Sequence, residues 1–364
     1  MSQTASSPQS SGKRANRWLL YGPLGAGGVI FAIYTVIWMM GANIMREELN
    51  NWIDDQRQSG FVVEHGKISV EGYPFLLRGK LMAPVYGNPE DGWEWQAERL
   101  YVDTIPYNPT RLILMPYGEQ QVRVMADQGT EIWRINADVM KASLSETANA
   151  VELHNVIAAP EGGTSATSFN RISIGSLRAN TYLRDDEETG RQQDIGQFAL
   201  LAEAIFLDGE TPERGIRITL ADASIDAARL PELMDAVGGR STYLNWQRAG
   251  GEVLISSARM VVGSGDETMP ASKVALTGNL SVDSDSYPAG DLTASIADHA
   301  GLLSLLVNYD LLSADNARDV DGTLSMISSA MGEEMRVPLQ LKDGRARVRT
   351  PLGGITIARL EPLE

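Results

Sequence analysis

The 364-residue chain contains no cysteine. That removes disulfides, thiolate nucleophiles, Cys-ligated metals and a lipoprotein-type lipid attachment. An oxidising compartment tolerates such a chain, but a large core must then supply its stability. Histidine is almost absent, with only His65, His154 and His299. None is spaced with another as a metal pair is, so a metal site would need all three to meet in space. Basic residues are also short, 31 against 47 acidic, for a net charge of −16. The charges before Trp18 are all basic (Lys13, Arg14, Arg17), so the remainder is more acidic still. Such a surface repels phosphate backbones and anionic headgroups, which argues against nucleic acid as a partner.

Reaction motifs are missing too. No Gly-x-Ser-x-Gly elbow occurs. No Walker loop and no Gly-x-Gly-x-x-Gly fingerprint follows a strand. Ser10-Ser11-Gly12-Lys13 matches Ser-x-x-Lys but lies in a polar tail and reads as chance. Asp319-Val320-Asp321-Gly322 hints at a calcium loop, but its glycine falls too early and the later ligand positions fail. It reads better as a helix N-terminus or solvated loop. Asp185-Asp186-Glu187-Glu188 reads as a solvated hairpin tip whose like charges resist strand aggregation. An enzyme would have to rely on carboxylates such as Glu64 or Asp103 with shifted pKa values in a cleft. The expectation is therefore a non-enzymatic protein without cofactor or metal, and no catalytic, cofactor-binding or metal residue is assigned.

A long uncharged run is present instead. No charged residue occurs from Trp18 to Met45, and the apolar stretch Trp18–Met40 is long enough for the ~20 residues that span a bilayer as a helix. Trp18, Tyr21, Tyr34 and Trp38 sit toward its ends, as interface aromatics do. Pro23 and nearby glycines are tolerated in membrane helices. Met40-Gly41-Ala42 makes a poor signal-peptidase site, because Met40 falls where a small residue is wanted. The run reads as an uncleaved single-span anchor, continued through Glu47–Gln58 as a helical stalk. Basic residues before it and acidic ones after it predict a cytoplasmic N-terminus, an inner-membrane span and a periplasmic remainder.

Beyond the anchor, strand patterns dominate. Phe61–Ala83 reads as strand, turn at Gly72-Tyr73-Pro74, and strand, with Ile68, Val70, Phe75, Leu77 and Leu81 marking period-two faces. Pro84–Gly92 reads as a loop. Trp93 and Trp95 share a strand face, which fits either core packing or stacking on a ligand ring. Helical spacing is read at Asp194–Leu207, Ala228–Val237, Ala300–Leu312 and Ala317–Met331. Asp343-Gly344 between alternating runs signals a tight hairpin. A second Tyr-Pro turn at Tyr287-Pro288 raises the question of duplication.

The predicted fold class is α+β: an N-terminal transmembrane helix, then a large, mostly antiparallel curved β-sheet or open barrel with a few packed helices. The organisation reads as tail 1–17, transmembrane helix and stalk 18–59, a β-rich part 60–190, and an α+β part 191–364 that forms either a second unit or one continuous domain with 60–190.

Glu71-Gly72-Tyr73-Pro74-Phe75, Gly92-Trp93-Glu94-Trp95 and Ile105-Pro106-Tyr107-Asn108-Pro109 resemble, in order and spacing, the domain-of-unknown-function 2125 family of Gram-negative bacteria. Leu276-Thr277-Gly278-Asn279-Leu280, Tyr287-Pro288-Ala289-Gly290 and Leu352-Gly353-Gly354-Ile355 are similar to it as well. The resemblance implies no activity and transfers no site residue. More loosely, the chain resembles AsmA-like envelope proteins, which are associated with lipid handling. The functional expectation is a membrane-anchored envelope protein binding a lipid or other apolar ligand in a β-sheet groove. The alternative is a structural or adaptor protein docking another envelope protein.

Overall fold

Helix α1 (Arg17–Gln58) carries the uncharged run and its stalk in one piece. In the computed structural model, residues 17–362 are described apart from 107, 127–128, 162–168, 187–190, 210, 212–214, 230–244, 266–270, 310–311, 332–334 and 351–352. The two parts of α1 differ. From Val29 to Met40 the large apolar side chains point outward, at 52–67% exposure for Val29, Ile30, Phe31, Ile33, Val36, Ile37, Met39 and Met40. From Ala42 onward an apolar stripe (Ala42, Met45, Leu49, Ile53) turns onto the protein, because residues three and four apart share a helix face. Ile53 is 1% exposed, and burying such a side chain contributes about 1.5–3 kcal/mol.

The remainder is one eighteen-stranded sheet whose described pairings are all antiparallel. Its first half comprises β1 (Val62–Glu64), β2 (Ile68–Glu71), β3 (Leu77–Met82), β4 (Val85–Asn88), β5 (Trp93–Ile105), β6 (Asn108–Ala126), β7 (Gly129–Asn136), β8 (Val139–Leu144) and β9 (Ala148–Pro160). Its second half comprises β10 (Phe169–Asp186), β11 (Arg191–Gly209), β12 (Ile216–Ala228), β13 (Val253–Ser264), β14 (Ser272–Val282), β15 (Pro288–Ala297), β16 (Met335–Lys342), β17 (Arg345–Thr350) and β18 (Gly353–Arg359). From β9 onward each strand pairs with the next, a meander that runs unbroken through the β10–β11 hairpin. Between β15 and β16 stand α2 (His299–Asn308) and α3 (Ala314–Met331), close to the two helices read at 300–312 and 317–331.

The third helical reading fails. Residues 194–207 lie in strand β11, paired to β10 on one side and β12 on the other. Ile195, Phe198, Ala202 and Ile205 do have helical spacing. The segment is apolar on both strand faces, so it satisfies both periods, and the two flanking ladders decide the outcome. Pro84–Gly92 likewise contains a strand, β4, rather than loop alone. The helix read at 228–237 falls largely outside the described residues, although β12 already extends to Ala228.

The two Tyr-Pro turns are built differently. Tyr73–Pro74 is a cis peptide inside the β2–β3 turn. Pro288 instead opens β15, and the turn before it is organised by Asp283, whose Oδ1 accepts from the Asp285 and Tyr287 N–H groups, both at 2.9 Å. The β16–β17 hairpin turns at Asp343 and Gly344, both at positive φ, as the Asp-Gly signal requires.

Asn155 in β9 and Ala204 in β11 adopt φ of 48° and 54° in mid-strand, and Gly175 of β10 lies between them. A Cβ at Gly175 would stand 2.9 Å from the Ala204 Cβ and 3.2 Å from the Glu203 carbonyl. The strands approach closely here. Gly175→Val is expected to destabilise the protein by about 1–3 kcal/mol. Denaturant melts of the two proteins side by side would show this as a lower midpoint.

Candidate functional site

Side chains in a strand alternate between faces, so residues paired directly across strands share a face. Following the register from strand to strand gives one row: Val70, Gly79, Val102, Leu114, Ala142, Val151, Ala179, Leu200, Ala223, Ala258, Leu276, Ala294, Val337. It crosses β2, β3, β5, β6 and then β8 to β16 without a polar side chain. The neighbouring row on the same face reads Met140, Leu153, Leu177, Ala202, Ala221, Met260, Val274, Ile296, Met335. On the other flank stand Phe198, Ile225, Ile255, Leu292 and Leu339.

The ends of this face are covered. Ala42, Met45 and Ile53 of α1 pack with Leu77, Leu81 and Val102. Gly79 permits the close approach, since a Cβ there would stand 2.8 Å from a Leu49 methyl and 3.0 Å from Met45 Cε. At the other end the Leu302 N–H donates to Ser272 Oγ at 2.7 Å, which seats α2 on the same face as Val274. Met335 is 1% exposed where β16 meets α3.

Between these covers the face is open in part among the described residues, although Ala202, Ile255 and Leu292 on it are buried. Val151 is 40% exposed, Leu200 37% and Phe198 38%. A face packed on a core would hold such residues below a tenth. The exposed apolar residues stand on β9 and β11, two strands or about 10 Å apart. Contiguous apolar patches beyond a few hundred Å² are rare on soluble monomers and mark interaction surfaces.

The opposite face is polar. Lys141, Glu152, Arg178, Leu201, Asp222, Arg259, Ala275, Ser295 and Arg336 form the adjacent row. Glu152 takes Lys141 at 2.5 Å, His154 at 2.9 Å and Arg178 at 3.2 Å, and Arg259 meets Asp222 at 2.8 Å. Hydrogen bonds from Lys141, then His154 and Arg178, lower the Glu152 pKa to about 2. A cavity of about 430 Å³ also opens on this side, lined by Leu220, Arg259, Val261, Lys273, Ser295 and Asp298 among others.

The polar residues singled out from sequence do not converge. His65 in the β1–β2 loop bonds the Gly66 carbonyl at 2.8 Å, His154 joins Glu152, and His299 on α2 meets Asp321 of α3 at 3.1 Å. Among the described residues no group of three or more His, Cys, Asp or Glu could hold a metal ion. Asp319 to Gly322 lie inside α3, not in a loop. Glu64 ends β1, exposed. Asp103 is buried and takes a bidentate pair from Arg78, at 2.7 Å from Nε and 2.6 Å from Nη2, which raises the Arg78 pKa. The tryptophans serve packing. Trp93 meets Tyr86 at 5.7 Å, Tyr86 stacks between Phe61 and Trp52 of α1, and Trp95 donates to Gln120 at 3.0 Å. Ser10 to Lys13, Glu187 and Glu188 lie outside the described residues.

Sequence reasoning found the apolar strands but not the row. The alternation was visible at each strand, whereas the register that aligns Val151 with Leu200 and Leu276 was not.

These features define a class: a β-rich protein whose N-terminal helix is long and apolar enough to cross a membrane, and whose sheet keeps one face apolar across most of its strands. The chain belongs to the family described as "Uncharacterized protein conserved in bacteria (DUF2125)", whose family model matches residues 38–360. No curated protein and no solved structure matches the chain, so the looser AsmA-like resemblance gains no second support.

Two outcomes follow from the polar contacts. Asp103→Ala strands Arg78 and removes charge-assisted bonds, and a loss of about 1.5–3 kcal/mol is expected in chemical denaturation. For Glu152 the folded pKa, about 2, lies below the ordinary carboxyl value of 4.5. Its stabilising contribution is therefore complete above pH 4.5 and is lost as pH falls through 2. Thermal melts between pH 6 and 2 should show a steeper acid loss for the natural protein than for Glu152→Gln.

Proposed function

We propose that this protein is a non-enzymatic, membrane-anchored envelope protein that accepts the acyl chains of a lipid on the open apolar face. The observation that carries the reading is the row from Val70 to Val337. It begins under the part of α1 that continues the apolar helix, and it stays apolar at Val151 and Leu200, which no described part of the protein buries. A chain leaving the bilayer beside α1 would meet apolar side chains strand after strand. Its free-energy gain is about 25 cal/mol for each Å² removed from water.

The proposed setting is an inner membrane with a cytoplasmic N-terminus and a periplasmic sheet. Lys13, Arg14 and Arg17 before the span, and Glu47, Glu48, Asp54 and Asp55 after it, support that orientation. The acidic balance keeps the sheet off anionic headgroups, so chains rather than headgroups would supply the attraction.

The test uses the full chain in bilayers with a phospholipid carrying a photoreactive group at mid-chain. Crosslinks are expected on β9 to β12, around Val151, Ala179, Leu200 and Ala223. Leu200→Glu should remove most of them while changing stability by only about 0.5 kcal/mol, as for other half-exposed sites. Crosslinks confined to α1, with an unlabelled sheet, would end the lipid reading and turn attention to protein partners.

A further inference from the structure

The β2–β3 turn does not sit above the bilayer; we infer that it enters it. The inference rests on the reading of α1 as a membrane span. Phe75, at the tip of the turn, is 81% exposed, the most exposed large apolar residue among those described. The turn lies against the outward-facing apolar part of α1 rather than against the stalk. The Tyr73 ring meets Trp38 at 5.3 Å and Phe31 at 6.1 Å, both edge-on. Phe31 sits about 13 Å of helix rise below Met40, the end of the apolar run. The hydrocarbon core is ~30 Å thick, so a residue at the Phe31 level stands well inside it.

Irregular backbone in hydrocarbon must have its polar groups satisfied within the protein. Four backbone groups of the turn are satisfied that way. The Tyr34 hydroxyl donates to the Pro74 carbonyl, and the Trp38 indole donates to the Leu76 carbonyl at 2.9 Å. The Tyr73 hydroxyl and Thr35 Oγ1 bond each other at 2.7 Å. Pro74 has no N–H to satisfy. The Leu76 N–H closes onto the Gly72 carbonyl at 3.0 Å. Gly72 is required there, at φ +103°, because a Cβ would stand 2.7 Å from the Leu76 carbonyl oxygen. The matching holds from the helix side as well. Tyr34, Thr35 and Trp38 are the residues between Val29 and Met40 that the protein partly covers, and each spends its polar atom on the turn. Docked in this way, turn and helix bring three polar side chains together and leave Phe75 facing lipid. The β2–β3 end of the sheet thereby becomes a second membrane element, with the start of the apolar row at the bilayer itself.

The natural chain has no cysteine, so single labels are unambiguous. Phe75→Cys, Ile37→Cys and Asp315→Cys are made in the full chain and reconstituted into phosphatidylethanolamine–phosphatidylglycerol vesicles. Reaction with a water-soluble maleimide is then timed. Position 37 reports the span, and position 315, on an 87% exposed side chain of α3, reports water. Phe75 is too exposed for the protein itself to shield, so only lipid can protect a thiol there. Apolar surroundings raise a thiol pKa by a unit or more, and position 75 is expected to react roughly tenfold or more slowly than 315, as position 37 does. If position 75 reacts as fast as 315 while 37 stays protected, the turn lies outside the bilayer and the inference falls, with the anchor intact. If all three react alike, the anchor reading falls and takes the inference with it.

Discussion

Register is the constraint on which this protein depends. Side chains on a strand alternate, so a slip of one residue at any ladder would send every later apolar residue to the other face. The row from Val70 to Val337 survives a long succession of ladders because the local irregularities compensate. Between β12 and β13 the register shifts after Ile218 and shifts back after Ser224, so Ala223 still faces Ala258 and Ile225 still faces Ile255. The strong polar contacts lie on the other face. Glu152 with Lys141 and Arg178, and Asp222 with Arg259, tie neighbouring strands in one alignment. A slipped strand would carry these charges into apolar surroundings, which costs far more than an exposed ion pair gains.

The architecture balances two demands. A sheet of this width must bend or split, and Asn155, Gly175 and Ala204 interrupt the regular backbone at one level of three adjacent strands. An apolar face must be covered, and among the described residues α1 covers one margin and α2 and α3 the other. The partly open middle is where structure points most directly to function. Helix α1, the turn docked on it and the first apolar strands form one contiguous apolar body, and the partly open face continues from it.

Much of this was legible beforehand, for local reasons. The long apolar helix announces itself by length and lack of charge. The Asp343-Gly344 hairpin follows from residues that tolerate positive φ, and the helices near 300–331 from apolar spacing without a competing period. Residues 194–207 misled because Phe198, Leu200 and Ala202 line one strand face while Leu201 adds apolar character to the other. Asp103 could be named as a carboxylate an enzyme would need, because its partner, Arg78, is close only across a ladder. Phe75 read as a core position on the β2–β3 hairpin, yet it is among the most exposed apolar side chains. Periodicity marks a face that avoids water without naming what replaces the water.

Composition and local pattern alone determined that the chain has a helix long and apolar enough to cross a membrane, that its body is sheet, and that it offers no cysteine and no paired histidines, because each of these depends on residues near one another in sequence. Tertiary structure decided everything that depends on residues far apart. It aligned a dozen separate apolar alternations into one row. It seated Tyr34, Thr35 and Trp38 against a turn some forty residues away. It also left the middle of the apolar face open in part. The physical reason is that alternation sets which side chains share a face within a strand, whereas hydrogen-bonded register between strands sets whether those faces join into a surface.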